Sequence, residues 1–261
     1  MDMHFDMAQN APAPSPASCD AADMCRTPAP SQNACERCAV RTRAICATLD
    51  SEEIAAMNRI GRRVTLQAGQ TVMWEGDDST VVANVIEGTL KLSTATGDGR
   101  EQIVGVVYPS DFIGRPFGRT TPHSVTALTD ARLCLFTRGA FDGFAREHPD
   151  LEHRLLQRTL DELDRARSWM LLLGRKSAQE KVATFLQDIA RRMAGDQDEE
   201  GRRHFDLPLS RQQMADVLGL TIETVSRQMT QLARTGVIAL SGRRGVEIRD
   251  LNRLENLAEG A

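Results

Sequence analysis

Three thiols fall within twelve residues, in Cys35-Glu36-Arg37-Cys38 and Cys46, a Cys-x2-Cys-x7-Cys spacing. Thiolates are soft ligands suited to zinc and to iron–sulfur clusters. Three of them leave either a tetrahedral zinc or a cubane cluster one ligand short. Redox motifs and zinc sites both use Cys-x2-Cys, so the spacing leaves metal and redox chemistry open. Cys134, in Leu133-Cys134-Leu135-Phe136, reads by itself as a small buried hydrophobe. Cys19 and Cys25 lie upstream and complete no spacing.

A second stretch carries charge. The chain is net −4, yet from Arg202 to Arg249 eight Arg face four Asp and Glu. A basic C-terminal module on an acidic body attracts phosphate locally without making a basic protein. Ser210-Arg211-Gln212-Gln213 is a capping-box sequence, in which the Ser hydroxyl and the Gln amide satisfy orphan backbone amides reciprocally. Its helix should run to Leu218, Gly219 should supply a left-handed turn, and Thr221 should cap a second helix over Ile222–Thr235. Val225, Met229 and Leu232 recur at i, i+4 and i+7 and should face a core. Glu223, Ser226, Arg227 and Thr230 take the opposite face. Val237–Leu240 and Val246–Ile248 read as a hairpin, a wing with Arg243 and Arg244 at its tip for phosphate. Helix, tight turn and helix form a helix-turn-helix, whose second helix enters the major groove of double-stranded DNA.

Enzyme chemistry fails on inventory. The sequence has no P-loop, no G-x-S-x-G and no zinc-hydrolase cluster. Of five His, only His148 and His153 lie near each other, which is no catalytic arrangement.

The elements that must position these groups follow from the pattern. Residues 1–33 are rich in Ala, Pro and Ser, carry no Lys and a single Arg, and read as a disordered tail, not a signal peptide. Residues 34–53 form the cysteine-rich segment. From Ile54, short β-rich runs alternate with glycine turns: Gln70–Trp74, Val81–Ile86, Thr89–Ser93, Ile103–Val107 and Ser124–Leu128. Such spacing argues for a sandwich or β-roll over 54–150. Leu156, Leu160, Leu163, Arg167 and Met170 follow the four-three spacing of a two-stranded coiled coil, on one helix from about Leu151 to Leu173. Residues 151–175 are therefore expected to join a homodimer; the alternative is that this face packs only on its own domain. A second amphipathic helix, Ala178–Met193, leads through a polar loop at Ala194–Arg203 into the DNA module, within a last domain spanning 176–261. No apolar run approaches the ~20 residues that span a bilayer, so no membrane contact is expected and the chain should be cytoplasmic.

The stretch Leu209-Ser210-Arg211 through Leu218-Gly219-Leu220-Thr221-Ile222-Glu223-Thr224-Val225-Ser226-Arg227 resembles the helix-turn-helix of the Crp/Fnr regulators. The resemblance implies an α+β architecture: a cyclic-nucleotide-binding-like β-roll, a long dimerisation helix and a C-terminal winged helix-turn-helix. Glu223, Ser226 and Arg227 match the Fnr branch, which favours TTGAT-type half-sites; Ser210, Thr221 and Thr230 complete the expected DNA-contacting set with Arg243 and Arg244. Oxygen-sensing members ligate a [4Fe–4S] cluster with three N-terminal cysteines and one in the strand before the helices, which implies Cys35, Cys38, Cys46 and Cys134 here. The alternative is a family member with a structural zinc site on the same four thiols, or without metal, that senses another signal. Thr96-Gly97-Asp98-Gly99-Arg100 matches the loop by which family members touch RNA polymerase, and reads equally as an ordinary turn. His123 takes the place of the arginine that holds a cyclic phosphate, so no cyclic nucleotide is expected.

Overall fold

A computed structural model describes residues 34–193 and 203–260. The tail over 1–33, with Cys19 and Cys25, and the loop over 194–202 lie outside the described residues.

The cysteine segment winds through turns into a 3-10 turn, Ile45–Thr48, and then α1 (Ser51–Ile60). Here the structure corrects the expectation of β-rich chain from Ile54 and a boundary at 53/54. Asp50 accepts from the Glu52 and Glu53 amides, and Glu53 accepts back from the Asp50 amide. That capping box starts a helix whose Ile54 and Met57, three apart, share the buried face.

Eight strands follow: β1 (Gly61–Leu66), β2 (Thr71–Met73), β3 (Val81–Glu87), β4 (Leu90–Ala95), β5 (Glu101–Val107), β6 (Phe112–Ile113), β7 (Ser124–Ala127) and β8 (Ala131–Thr137). They make two antiparallel four-stranded sheets, β1-β8-β3-β6 and β2-β7-β4-β5. The inward residues Val64, Leu66, Val85, Leu90, Val125, Leu133 and Leu135 fill the space between them. This is the β-roll.

α2 (Arg138–Glu147) packs Phe141 and Phe144 against α1 and β8. The chain breaks at His148, where Pro149 has no amide to donate and starts α3 (Pro149–Arg175). At 27 residues α3 is about 40 Å long. α4 (Ala178–Met193) begins and ends where the amphipathic pattern places it. After it come β9 (Arg203–Asp206), α5 (Arg211–Leu218), α6 (Ile222–Arg234), β10 (Ile238–Ser241), β11 (Gly245–Ile248) and α7 (Leu251–Glu259). The wing is a three-stranded sheet, β10-β11-β9, rather than the expected two-stranded hairpin.

The two modules share a core. Ile103 of β5 and Leu128 are buried in the same cluster as Leu186, Met214 and Val225. Gln102 Nε2 donates to the Asp216 carbonyl of α5, and Arg192 of α4 lies 5.1 Å over the Tyr108 ring and 3.8 Å from Asp111 Oδ2. Among the described residues no helix is long and apolar enough to cross a membrane.

Candidate metal centre and nucleic-acid interface

Cys134 is brought to the N-terminal cysteines by sheet register. Strand β8 pairs with β1 and β3, so Cys134 stands opposite Arg63 on one side and Asn84 on the other. The cysteine segment crosses that surface. Cys35 and Cys46 pack with Cys134 in one apolar cluster, and Cys38 joins Cys46 and Cys134 in another, beside Val40, Ala44 and Ile86. All four thiols are free and partly buried.

Burial is the main reason three of the thiols, Cys35, Cys46 and Cys134, resist ionisation: it pushes Cys46 up to about 11 and raises Cys35 and Cys134. The sulfurs raise one another further: Cys134 feels Cys35, Cys46 and Cys38, and Cys46 feels Cys38 and Cys35. Arg63 opposes this at Cys35 and Cys134, and Arg41 at Cys35 and Cys46. Such a cluster favours a cationic centre that takes up thiolate charge. Among the described residues, no three Cys, His, Asp or Glu side chains are set as a closed single-ion site. The donor set fits a soft metal group by chemistry and neighbourhood.

Several supporting residues escaped the sequence reading. The Cys35 thiol donates to Asn58 Oδ1 at 3.2 Å, and the Cys46 thiol makes a long 3.9 Å contact to the Arg41 carbonyl. Arg63 Nη2 donates to the Ala34 carbonyl. On α3, Arg158 Nη2 donates to the Arg43 carbonyl, while Leu151 and Leu155 pack with Ile45 and Leu49. The cysteine segment is thus fastened to the first turns of the long helix. None of these pairings has a local sequence signal.

Along α3, Leu156, Leu160, Leu163 and Met170 are 56, 52, 44 and 73 % exposed, an apolar stripe. Arg167 in the same stripe is paired with Asp164 at 3.3 Å, so its charge is partly met within its own helix. Leu156 and Leu163 also border a cavity of about 1060 Å³ between α3 and the roll, with Arg115, Thr121, His123 and Arg165 among its other lining residues. His123 Nδ1 is buried there without a protein partner.

The DNA module follows its caps. Ser210 accepts from the Gln213 amide at 3.2 Å, and Gln213 Oε1 accepts from the Ser210 amide at 2.8 Å. Gly219 takes φ +60°, a left-handed value that only glycine adopts cheaply, and turns the chain from α5 into α6. Thr221 caps α6 by accepting from the Thr224 amide. Val225, Met229 and Leu232 are buried, whereas Ser210, Thr221, Glu223, Ser226, Arg227 and Thr230 are exposed together with Ile222. Glu223 is held below the usual carboxylate range by its own first-turn amide and by Thr221. Arg243 and Arg244 are exposed at the tip between β10 and β11. The loop Thr96–Arg100 is a closed hairpin turn: Arg100 pairs with Asp98 at 2.8 Å, and the Thr96 amide donates to the Arg100 carbonyl.

A β-roll, a long helix and a winged helix-turn-helix with a polar exposed helix face define a DNA-binding transcription regulator, and not an enzyme. Residues 63–148 match the cyclic nucleotide-binding domain family and residues 180–257 the Crp-like helix-turn-helix domain family. The chain is 51 % identical over 222 residues to the transcriptional activator protein FnrL of Cereibacter sphaeroides, covering 84 % of this chain and 90 % of that one. It is 41 % identical to the nitrogen fixation regulation protein FixK of Bradyrhizobium diazoefficiens, over 88 % of this chain and 95 % of that protein. The structure of FixK2 from Bradyrhizobium japonicum superposes with a TM-score of 0.71 at 33 % identity, over 76 % of this chain and 97 % of that one. The chain belongs to the Crp/Fnr family of transcription regulators.

Proposed function

We propose that this regulator responds to oxygen or redox state, with Cys35, Cys38, Cys46 and Cys134 holding a [4Fe–4S] cluster that controls dimerisation and DNA binding at genes of anaerobic or microaerobic life. The observation that carries the reading is the convergence of Cys134, from the sheet, on three cysteines more than eighty residues earlier. When bound, such a cluster supplies a centre that oxygen degrades. The chain's own part is to couple that centre to α3, through Arg158 on the Arg43 carbonyl and Leu151 and Leu155 on Ile45 and Leu49. The stripe Leu156, Leu160, Leu163, Arg167 and Met170 then meets its copy in a homodimer. Arg227 donates two hydrogen bonds to guanine, Glu223 accepts from cytosine, and short Ser226 admits a thymine edge, giving TTGAT-N4-ATCAA sites. The Thr96–Arg100 turn is offered to RNA polymerase, and the cavity beside His123 is expected to take no cyclic nucleotide. Work is expected in the cytoplasm.

Anaerobically purified protein should be brown, with a visible charge-transfer band and equal iron and sulfide. Cys35→Ser, Cys38→Ser, Cys46→Ser and Cys134→Ser should each abolish both elements, and Cys19→Ser and Cys25→Ser should not. Stoichiometric zinc without sulfide would replace this reading with that of a family member carrying a structural zinc site.

A further inference from the structure

We propose that Lys181 is a positioning residue for DNA reading: it holds the turn between α5 and α6 and so sets how the recognition helix is presented. Lys181 lies on α4, inside the module and 8 % exposed. An ammonium taken out of water is costly unless its donors are used. No ion pair involves Lys181 among the described residues. Its Nζ donates instead to the Leu218 carbonyl at 3.2 Å. That oxygen ends α5, where the last carbonyls lack helical partners and the helix dipole is negative. A buried cation therefore rests on the negative end of the first DNA helix.

The following residue is Gly219, whose left-handed turn sets the direction of α6. The same turn is met from α3. Leu172 is buried in the module's core, and a Cβ placed on Gly219 would lie 3.7 Å from Leu173 Cδ2. The turn is thus tied on one side to α4 and bordered on the other by the end of the long helix. Lys181 itself is buried away from the DNA-facing side chains, so its effect passes through backbone position. Base-edge hydrogen bonds depend on that position closely, whereas attraction to phosphate depends mainly on charge. Loss of the tie should reduce discrimination between sequences and leave general attraction intact.

The test uses the full chain, purified anaerobically, and the duplex that the unmodified chain enriches from random DNA, beside a scrambled duplex of equal composition. Lys181→Met should bind the enriched duplex more weakly by up to roughly tenfold, the ceiling being the strength of a charge-assisted hydrogen bond that holds the presentation of α6 used in the complex. Its binding to the scrambled duplex, its salt slope on that duplex and its dimer dissociation constant should match the unmodified chain. Lys181→Arg, which can still donate to the carbonyl, should restore most of the loss. Undiminished discrimination in Lys181→Met, an equal loss on both duplexes, or an Arg variant no better than Met overturns the proposal. If Lys181→Met does not fold, Lys181→Gln decides: its amide is uncharged and one bond short of the carbonyl, so it should lose discrimination, and parental discrimination there refutes the tie.

Discussion

Replacing Arg167 by Leu should produce a dimer that persists in air. Leu160 and Leu163 on the same stripe are about half exposed in the single chain. A leucine at 167 starting from similar exposure gains about 1 kcal/mol on being covered by a partner, half of a full side-chain burial. Two copies gain about 2 kcal/mol. Removing two like charges that meet across a two-fold axis adds on the order of 1 kcal/mol, the repulsion of two charges a few ångströms apart in water. The Arg167–Asp164 pair is lost as well, but it exists within one helix in monomer and dimer alike and so nearly cancels from association. The total, about 3 kcal/mol, corresponds to a dissociation constant roughly a hundredfold lower. Sedimentation equilibrium of the cluster-free protein in air, over a range of concentrations, measures it. A variant that associates no more tightly than the unmodified chain refutes the seam assignment. An unmodified chain whose dimer is equally tight with and without cluster refutes the switch.

Selection from random DNA with cluster-loaded protein should enrich TTGAT-N4-ATCAA; a site without the TTGA core would sink the roles given to Glu223, Ser226 and Arg227. The double change Ile222→Arg with Ser226→Gly should move preference toward GTGA-type half-sites, each bidentate contact being worth roughly 1–3 kcal/mol of discrimination. Arg243→Ala or Arg244→Ala should weaken all duplexes alike and flatten the dependence of affinity on salt, read by titration at several ionic strengths. Glu223 is held below the usual Glu range by its own amide and by Thr221. It therefore stays ionised as pH falls through that range, and the preference it confers should survive there and fade only at lower pH. Binding isotherms against pH, with Glu223→Gln as the reference that lacks the titration, check this.

The helix-turn-helix was legible because its signals are local. Ser210 and Gln213, Gly219, and Thr221 act on backbone within a few residues of themselves. The same holds for α4, whose apolar face alone sets its length. What stayed hidden depends on distant partners. β1 opens Gly61-Arg62-Arg63, and its charges mask a strand whose pairing with β8 decides it. β9 buries only Phe205 and exists through its register with β11. α1 carried a readable capping box at Asp50 and Glu53, but its two buried positions, Ile54 and Met57, give too short a period to separate helix from strand. The resemblance named the four cysteines, whereas Asn58, Arg63 and Arg158 enter the site only through tertiary packing.

The burial of Ile103 and Leu128 among the side chains of the C-terminal module limits how this regulator can be recombined. A cut in the chain near residue 176 separates the sequence into two parts without separating two complete cores. A C-terminal fragment would expose the apolar seat that β5 fills and leave the Asp216 carbonyl without Gln102. A hybrid that grafts this DNA module onto another sensor needs a strand in the position of β5 with a branched apolar residue at 103 and an amide at 102. Where the donor roll lacks them, compensating changes on α5 must travel with the graft, so sensor and reader are exchangeable only as matched pairs.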